Sequence, residues 1–287
     1  MSDMPRTVVR WFVFSVAVLA LVATGLWQVT RTRFQSIEVH GHKISYARQG
    51  SGRPAIVFVA GGYAAGESKL PNFKSLFTRF DTTSFYYDRP GMGASEADHE
   101  DRPPLRVVEE MHTLLERVGI PPPYILVGRS LGGLYSRAFA IKYPHDVAGL
   151  VLSDGSDERQ VVETRQLNLQ NYPEPPPSDS NLTKPEFLGM TKIWNSGRLD
   201  VVGKLPDVPM VVITSLHHGS EKYSVPPEVE TLWRKLQDDI FQSTTHGMHI
   251  VTKKSGHAIA ATEPDLEVNA IKWVLETART AEKSTKK

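Results

Sequence analysis

Short apolar runs alternate with longer amphipathic stretches along most of this chain, and the alternation restricts the possible folds more than any other feature. Residues 55–60 (AIVFVA) are all apolar, as in a strand that is covered on both faces. Similar runs predict strands at residues 83–87, 124–127, 147–152, 209–214 and 249–252. Strands that alternate with helices form a mostly parallel sheet with helices on both faces. The sequence therefore predicts a fold of the α/β class.

Helical periodicity fills the intervals between these strands. Four apolar side chains recur at a spacing that places them on one face of a helix: Val107, Met111, Leu114 and Val118. Further helices are predicted at residues 131–143 and 226–241, and a last helix begins at Pro264, where the missing N–H costs no hydrogen bond. Ahead of the first buried strand, residues 36–39 and 43–47 predict a β-hairpin.

One region interrupts this alternation. Residues 156–205 contain no strong strand pattern, and residues 172–180 (YPEPPPSDS) are rich in proline. An irregular segment of this length is uncommon in a domain unless it has a function, so we interpret it as a cap inserted over an active site. The α/β domain is predicted to span residues 34–281, and residues 282–287 to form a charged, solvated tail.

The amino-terminal region is predicted to enter a membrane. Residues 11–30 (WFVFSVAVLALVATGLWQVT) carry no charge, and as a helix they would span about 30 Å, the thickness of the hydrocarbon core of a bilayer. Trp11 and Trp27 stand near the two ends, where aromatic rings favour the interface. We interpret residues 1–33 as a tail and an uncleaved single-pass signal anchor, with a cleaved signal peptide as the alternative. The large domain is expected outside the cytoplasm.

Composition excludes several classes of function. The chain has 33 Lys and Arg against 32 Asp and Glu, a net charge of +1, whereas a protein that binds nucleic acid usually has a strongly basic face. It has no cysteine, which excludes disulfides, cysteine-ligated zinc and a thiol nucleophile. Nucleic acid is therefore not an expected partner.

A glycine-rich turn follows the strand predicted at residues 124–127. It reads GRSLGG at residues 128–133 and leads directly into a predicted helix. Where G-x-S-x-G joins a strand to a helix, the serine lies on a sharp turn that exposes its hydroxyl, and its small neighbours leave room for the turn. The amino terminus of the helix favours negative charge at the reacting centre. We interpret Ser130 as a nucleophile.

A nucleophilic serine needs a base, and His257 has the most suitable position among ten histidines. It lies between the last predicted strand and the last helix, in a loop that returns to the carboxyl edge of the sheet, where Ser130 is expected to emerge. The other histidines are interpreted as surface or packing residues.

Four motifs in this order resemble those of the α/β-hydrolase fold family, over essentially everything from residue 34 onward. They are VFVAGG at residues 57–62, YDRPGMGAS at 87–95, GRSLGG at 128–133 and SGHAI at 255–259. The resemblance extends to the bacterial, membrane-anchored branch of that family. It implies an oxyanion hole formed by the backbone N–H groups of Gly62 and Leu131. Residues 88–95 are interpreted as a structural turn at the mouth of the site.

The acid that orients the histidine has three candidates. Chain order in this fold is Ser, then Asp or Glu, then His. The loop in which the acid usually stands reads SLHHGSE at residues 215–221 and holds no aspartate. Asp154, at the end of the preceding predicted strand, is the preferred candidate. Glu221, Asp157 and a weakened dyad of Ser130 and His257 without an acid remain open.

These residues predict a serine hydrolase that cleaves an ester or a related acyl bond through Ser130, Asp154 and His257. The expected partner is a small acyl substrate, and neither a metal ion nor an organic cofactor is expected. Amide, thioester and carbon–carbon bonds remain open as substrates, since the fold does not determine the reaction. The alternative is a membrane-anchored sensor or binding module that keeps the pocket without turnover.

Overall fold

The computed structural model describes residues 33–62, 76–169, 184–216 and 225–285. Within these ranges, eight strands form one sheet in the order β1-β2-β4-β3-β5-β6-β7-β8. The strands are β1 (Phe34–Val39), β2 (His42–Gln49), β3 (Ala55–Val59), β4 (Ser84–Tyr87), β5 (Tyr124–Arg129), β6 (Val147–Ser153), β7 (Met210–Ser215) and β8 (Gly247–Thr252). The predicted hairpin is the antiparallel pair β1–β2, and β2 also pairs antiparallel with β4. The remaining pairs are parallel, which confirms the predicted α/β class.

The continuous apolar run at residues 55–60 corresponds to the central strand β3. All five of its residues are buried. Because successive side chains of a strand point to opposite faces, Val57 and Val59 belong to the core on one side of the sheet, while Ile56 and Phe58 belong to the core on the other. Complete burial of each such side chain contributes about 1.5–3 kcal/mol. A strand covered on both faces therefore has no polar position.

Helices cover both faces of the sheet, as predicted. The helices of the described residues, apart from a short 3₁₀ turn, are α1 (Pro104–Val118), α2 (Leu131–Lys142), α3 (Gln160–Gln166), α4 (Lys184–Ser196), α5 (Pro227–Phe241), α6 (Ile259–Thr262) and α7 (Pro264–Thr285). Met111 of α1 and Phe139 of α2 pack in the first core, and Ile271 and Val274 of α7 pack in the second. Helix α7 extends through Thr285, so it includes part of the segment predicted as a tail.

The region between β6 and β7 contains helices α3 and α4, which the sequence pattern did not predict. The described part of this region, residues 156–169 and 184–205, contains no strand, as expected. Its proline-rich part at residues 172–180 lies outside the described residues. So does the anchor predicted at residues 11–30. Among the residues that are described, no helix has the length and hydropathy needed to cross a bilayer.

Candidate active site

Ser130 occupies a strained turn at the carboxyl edge of the sheet. It follows the last residue of β5 and precedes the first residue of α2, and its φ is 51° with ψ −125°. A residue with a side chain rarely adopts a positive φ, and the strain costs about 1–3 kcal/mol. The turn is held by hydrogen bonds to β6 and to the loop after it: the Ser130 N–H donates to the carbonyl of Ser153 at 3.2 Å, and the Ser130 carbonyl accepts from the N–H of Ser156 at 2.8 Å.

Glycine at the positions flanking Ser130 lets helix α2 approach the sheet closely. A Cβ on Gly132 would overlap the carbonyl oxygen of Val59 in β3 and lie 2.7 Å from that of Ala60. A Cβ on Gly128 would lie 2.5 Å from the hydroxyl oxygen of Ser136 in α2. The helix therefore begins within contact distance of β3, and its first N–H groups, which have no partner within the helix, lie beside Ser130.

Replacing Gly132 with alanine is expected to destabilise the protein by about 1–3 kcal/mol, because the new methyl group must displace backbone atoms of β3. In a helix interior without such contacts, the same change stabilises by up to about 1 kcal/mol. The sign of the change therefore separates the two effects. Urea unfolding measures it, and a variant more stable than wild type would show that α2 can shift away from β3.

Asp154 occupies the corresponding position on the neighbouring strand. Arg129 and Ser153 are in register as the last residues of β5 and β6, so Ser130 and Asp154 follow them side by side, and Asp154 also has a positive φ, 49°. Its side chain is fully buried. One carboxylate oxygen accepts from the N–H of Ser215 and from the indole N–H of Trp233, both at 3.0 Å. These donors offset the cost of removing a carboxylate from water.

His257 contacts the other oxygen of the Asp154 carboxylate. The distance from Nδ1 to Oδ2 is 2.6 Å, between residues 103 positions apart in the chain. The imidazole and the Trp233 ring lie edge to face, with centroids 6.4 Å apart and planes at 77°. When Nδ1–H donates to the carboxylate, Nε2 carries the lone pair of the ring. The His257 side chain is 47% exposed, so the imidazole lies at the surface while the carboxylate that holds it is buried.

The other two candidate acids have different surroundings. Asp157 pairs with Arg159, whose Nε and Nη2 each lie 3.0 Å from one of its carboxylate oxygens, and it also accepts from the backbone N–H of Arg159. Glu221 lies outside the described residues, as do His217 and His218. Of the two candidate acids that the structure describes, Asp154 contacts His257 and Asp157 contacts Arg159.

A hydrogen-bond network holds the loop that carries His257. Ser255, two residues earlier, accepts through its carbonyl from the Ser215 hydroxyl at 2.6 Å, and its own hydroxyl donates to Glu263 at 2.5 Å. Thr252 donates to the same oxygen of Glu263. The hydroxyls of Ser255 and Thr252 lower the pKa of this carboxyl below its usual value, because they bond to its charged form. Glu263 lies outside the motifs from which the site was predicted.

A second carboxylate outside the predicted motifs bonds the residues that immediately precede Ser130 and Asp154. Glu267 of α7 is fully buried and accepts from Nε of Arg129 at 2.8 Å and from the hydroxyl of Ser153 at 3.3 Å. Arg129 immediately precedes Ser130, and Ser153 immediately precedes Asp154. One side chain of the last helix therefore fixes the ends of β5 and β6.

The predicted oxyanion residues lie at the same edge. Leu131 is the first residue of α2, and Gly62 is in the loop after β3, the strand that pairs with β5. Arg89 holds this loop, since its guanidinium donates to the carbonyl of Ala60 at 2.5 Å and to that of Gly61 at 2.8 Å. The predicted turn at residues 88–95 is present, closed by hydrogen bonds from the N–H of Ala94 and the hydroxyl of Ser95 to Asp88.

The Arg89 side chain is fully buried, although charged residues of turns are usually exposed to solvent. Burial by itself lowers the pKa of a guanidinium, but the facing carboxylate of Glu186 outweighs it, and the pKa of Arg89 is raised above its ordinary value. The guanidinium also lies over the ring of Tyr135, 5.0 Å from its centroid. Arg89 is therefore a charged residue built into the core beside the site.

The mostly parallel sheet, the strained serine between a strand and a helix, and the aspartate–histidine pair at the carboxyl edge together define the class of α/β hydrolases. Sequence comparison agrees: the family model described as alpha/beta hydrolase fold matches residues 54–257. The chain belongs to the α/β-hydrolase fold family. This membership supports a hydrolase activity.

Individual proteins are similar to this chain in sequence or in structure. The uncharacterized protein YqjL of Bacillus subtilis (strain 168) is 27% identical over 230 residues, which cover 76% of this chain and 82% of the relative. The structure of an alpha/beta hydrolase fold protein from Chitinophaga pinensis matches with a TM-score of 0.62 at 14% identity, over 87% of this chain and 99% of that chain. A serine hydrolase involved in carbazole degradation (CarC enzyme) matches with a TM-score of 0.57 at 17% identity, over 86% and 99%.

Proposed function

We propose that this protein is a serine hydrolase that cleaves an ester or a related acyl bond through an acyl-enzyme intermediate. The observation that carries the proposal is the hydrogen bond between His257 Nδ1 and the buried carboxylate of Asp154, one strand away from Ser130. A histidine held in this way has the tautomer that a general base requires. The description of one fold neighbour as a serine hydrolase supports the same chemistry.

In the proposed reaction the Ser130 hydroxyl attacks the carbonyl carbon of the substrate, and His257 Nε2 takes the hydroxyl proton. Asp154 stabilises the imidazolium that forms. The N–H groups of Leu131 and Gly62 bind the oxyanion. When the tetrahedral intermediate collapses, the imidazolium gives its proton to the leaving alcohol. Water then attacks the acyl-enzyme with the same proton transfers, which releases the acid and restores the serine.

A panel of p-nitrophenyl esters of increasing acyl length tests this proposal on the full-length protein, and a fluorophosphonate probe tests it independently of the substrate. We expect release of p-nitrophenol and covalent labelling of Ser130. A correctly folded protein that hydrolyses none of the esters and takes up no label would contradict the proposal and favour a binding module.

We also propose that the enzyme belongs to a bacterial, membrane-anchored branch of the family. The uncharged segment at residues 11–30 supports a single-pass anchor, with the domain from residue 34 onward outside the cytoplasm. Protease treatment of intact cells tests the topology of the full-length chain. We expect digestion of the domain, and a domain protected until the membrane is opened would contradict this orientation.

A further inference from the structure

A buried ion pair connects the region inserted after β6 to the core beside the candidate site. Glu186 lies in the first turn of α4, and Arg89 lies two residues after the end of β4. Both side chains are fully buried. Nε of Arg89 lies 2.5 Å from one oxygen of the Glu186 carboxylate, and Nη2 lies 3.2 Å from the other. The pair is therefore bidentate, a geometry that holds the plane of the guanidinium in one orientation.

The same guanidinium determines how the loop after β3 is oriented. Nη1 donates to the carbonyl of Ala60, and Nη2 donates to the carbonyl of Gly61. The Gly61 carbonyl and the Gly62 N–H belong to one planar peptide group, and in a trans peptide they point in opposite directions. Fixing the carbonyl toward Arg89 therefore fixes the direction of the Gly62 N–H. The cation at the carbonyl also polarises the peptide and strengthens its N–H as a donor.

We infer that Glu186, acting through Arg89, is a positioning residue for the oxyanion donor at Gly62. The inference rests on the proposed function, because acyl transfer is the chemistry that gives this N–H a role. If the inference is correct, efficient turnover at Ser130 requires a carboxylate from the inserted region. Without Glu186, Arg89 loses the two contacts that hold the plane of its guanidinium, and its bonds to the loop carbonyls fix the Gly62 N–H less tightly.

Other contacts hold α4 on the domain without this ion pair. The Arg102 N–H donates to the carbonyl of Pro185 at 3.0 Å, and a Cβ on Gly189 would overlap the carbonyl group of Arg102, so the helix packs closely against that segment. Removing the charge of Glu186 is therefore expected to leave α4 in place. A loss of turnover in such a variant would arise at the loop after β3.

The chain offers a matched control in a second buried pair. Arg102 and Glu110 are 0% and 3% exposed, and two hydrogen bonds join them, from Nη2 at 2.8 Å and from Nη1 at 2.9 Å, while Nη1 also donates to Asp98. Glu110 lies on α1, where its carboxylate accepts from the Arg102 guanidinium. Glu110→Gln thus removes a carboxylate of the same type and burial from a neighbouring part of the core.

The experiment compares Glu186→Gln with Glu110→Gln in the full-length protein. For each we measure kcat and KM on the best p-nitrophenyl ester, the rate of fluorophosphonate labelling, and Tm. Removing an oxyanion donor outright lowers kcat by about 10²–10³-fold, so we expect a misaligned donor in Glu186→Gln to lower kcat by about 10–100-fold with little change in KM. Labelling should slow by a similar factor. Glu110→Gln should keep the wild-type kcat even where its Tm falls.

Equal kcat values in the two variants, with an active wild type, would overturn the inference and leave the proposed hydrolase standing. An inactive, unlabelled wild type would instead contradict the proposed function. If Glu186→Gln does not fold, Arg89→Lys is the variant that tests the inference. Lysine keeps the charge but lacks the planar guanidinium that contacts the Glu186 carboxylate and the Gly61 carbonyl together. We expect a lowered kcat there too, and wild-type turnover in Arg89→Lys would overturn the inference.

Discussion

Replacing Ser130 with alanine is expected to lower the turnover of an ester by on the order of 10⁶-fold, because the change removes the oxygen that forms the acyl-enzyme. Alanine keeps the Cβ, so the backbone at a φ of 51° is strained in both proteins and the fold should persist. The measurements are kcat on a p-nitrophenyl ester, covalent labelling by a fluorophosphonate, and Tm. We expect the label to disappear and Tm to change little.

Ser136→Ala is the matched control for this prediction. Ser136 is a buried serine of α2, the helix that begins directly after Ser130, and its hydroxyl donates to the carbonyl of Gly132 at 2.8 Å. This variant should be labelled and should turn over substrate like the wild type. Turnover that survives in Ser130→Ala would assign the nucleophile to another residue.

Replacing Asp154 with asparagine is expected to lower kcat by about 10⁴-fold while the fold is kept. The amide oxygen can still accept from the Ser215 N–H and the Trp233 indole. Its NH₂ group, however, faces His257 Nδ1 and favours the tautomer in which Nε2 carries the proton and cannot act as a base. Steady-state kinetics measure the loss, and circular dichroism with Tm verifies the fold.

Asp157→Asn provides the comparison. This carboxylate is equally buried and lies three residues away, but it pairs with Arg159. We expect some loss of stability and a nearly normal kcat. Near-normal turnover in Asp154→Asn would instead move the role of the acid to Glu221.

Local patterns were sufficient to predict the strands. The run predicted at residues 55–60 is β3 (Ala55–Val59), and the run at 209–214 is β7 (Met210–Ser215), in both cases within one residue. A strand covered on both faces has no polar position, so its limits can be recognised without its neighbours. The hairpin before β3 was also predicted, with strand limits within two residues, since its turn and its two short strands are adjacent in the chain.

The helices of the inserted region could not be predicted in this way. Helix α4 contains Glu186, fully buried, beside Met190 and Ile193. A charged residue on the buried side breaks the apolar periodicity that identifies an amphipathic helix. It is stable there because Arg89, 97 positions earlier in the chain, supplies the opposite charge.

The sequence by itself determined the strands, the helices outside the inserted region that have a clear apolar periodicity, the turn at Ser130 and the loop that carries His257, because each depends on residue types within a short stretch of chain. Only the tertiary structure decided that Asp154 meets His257 while Asp157 meets Arg159, and that Arg89 and Glu186 are buried together. These contacts join distant segments at distances of about 3 Å, and such distances depend on how strands and helices pack, which no local pattern of residues encodes.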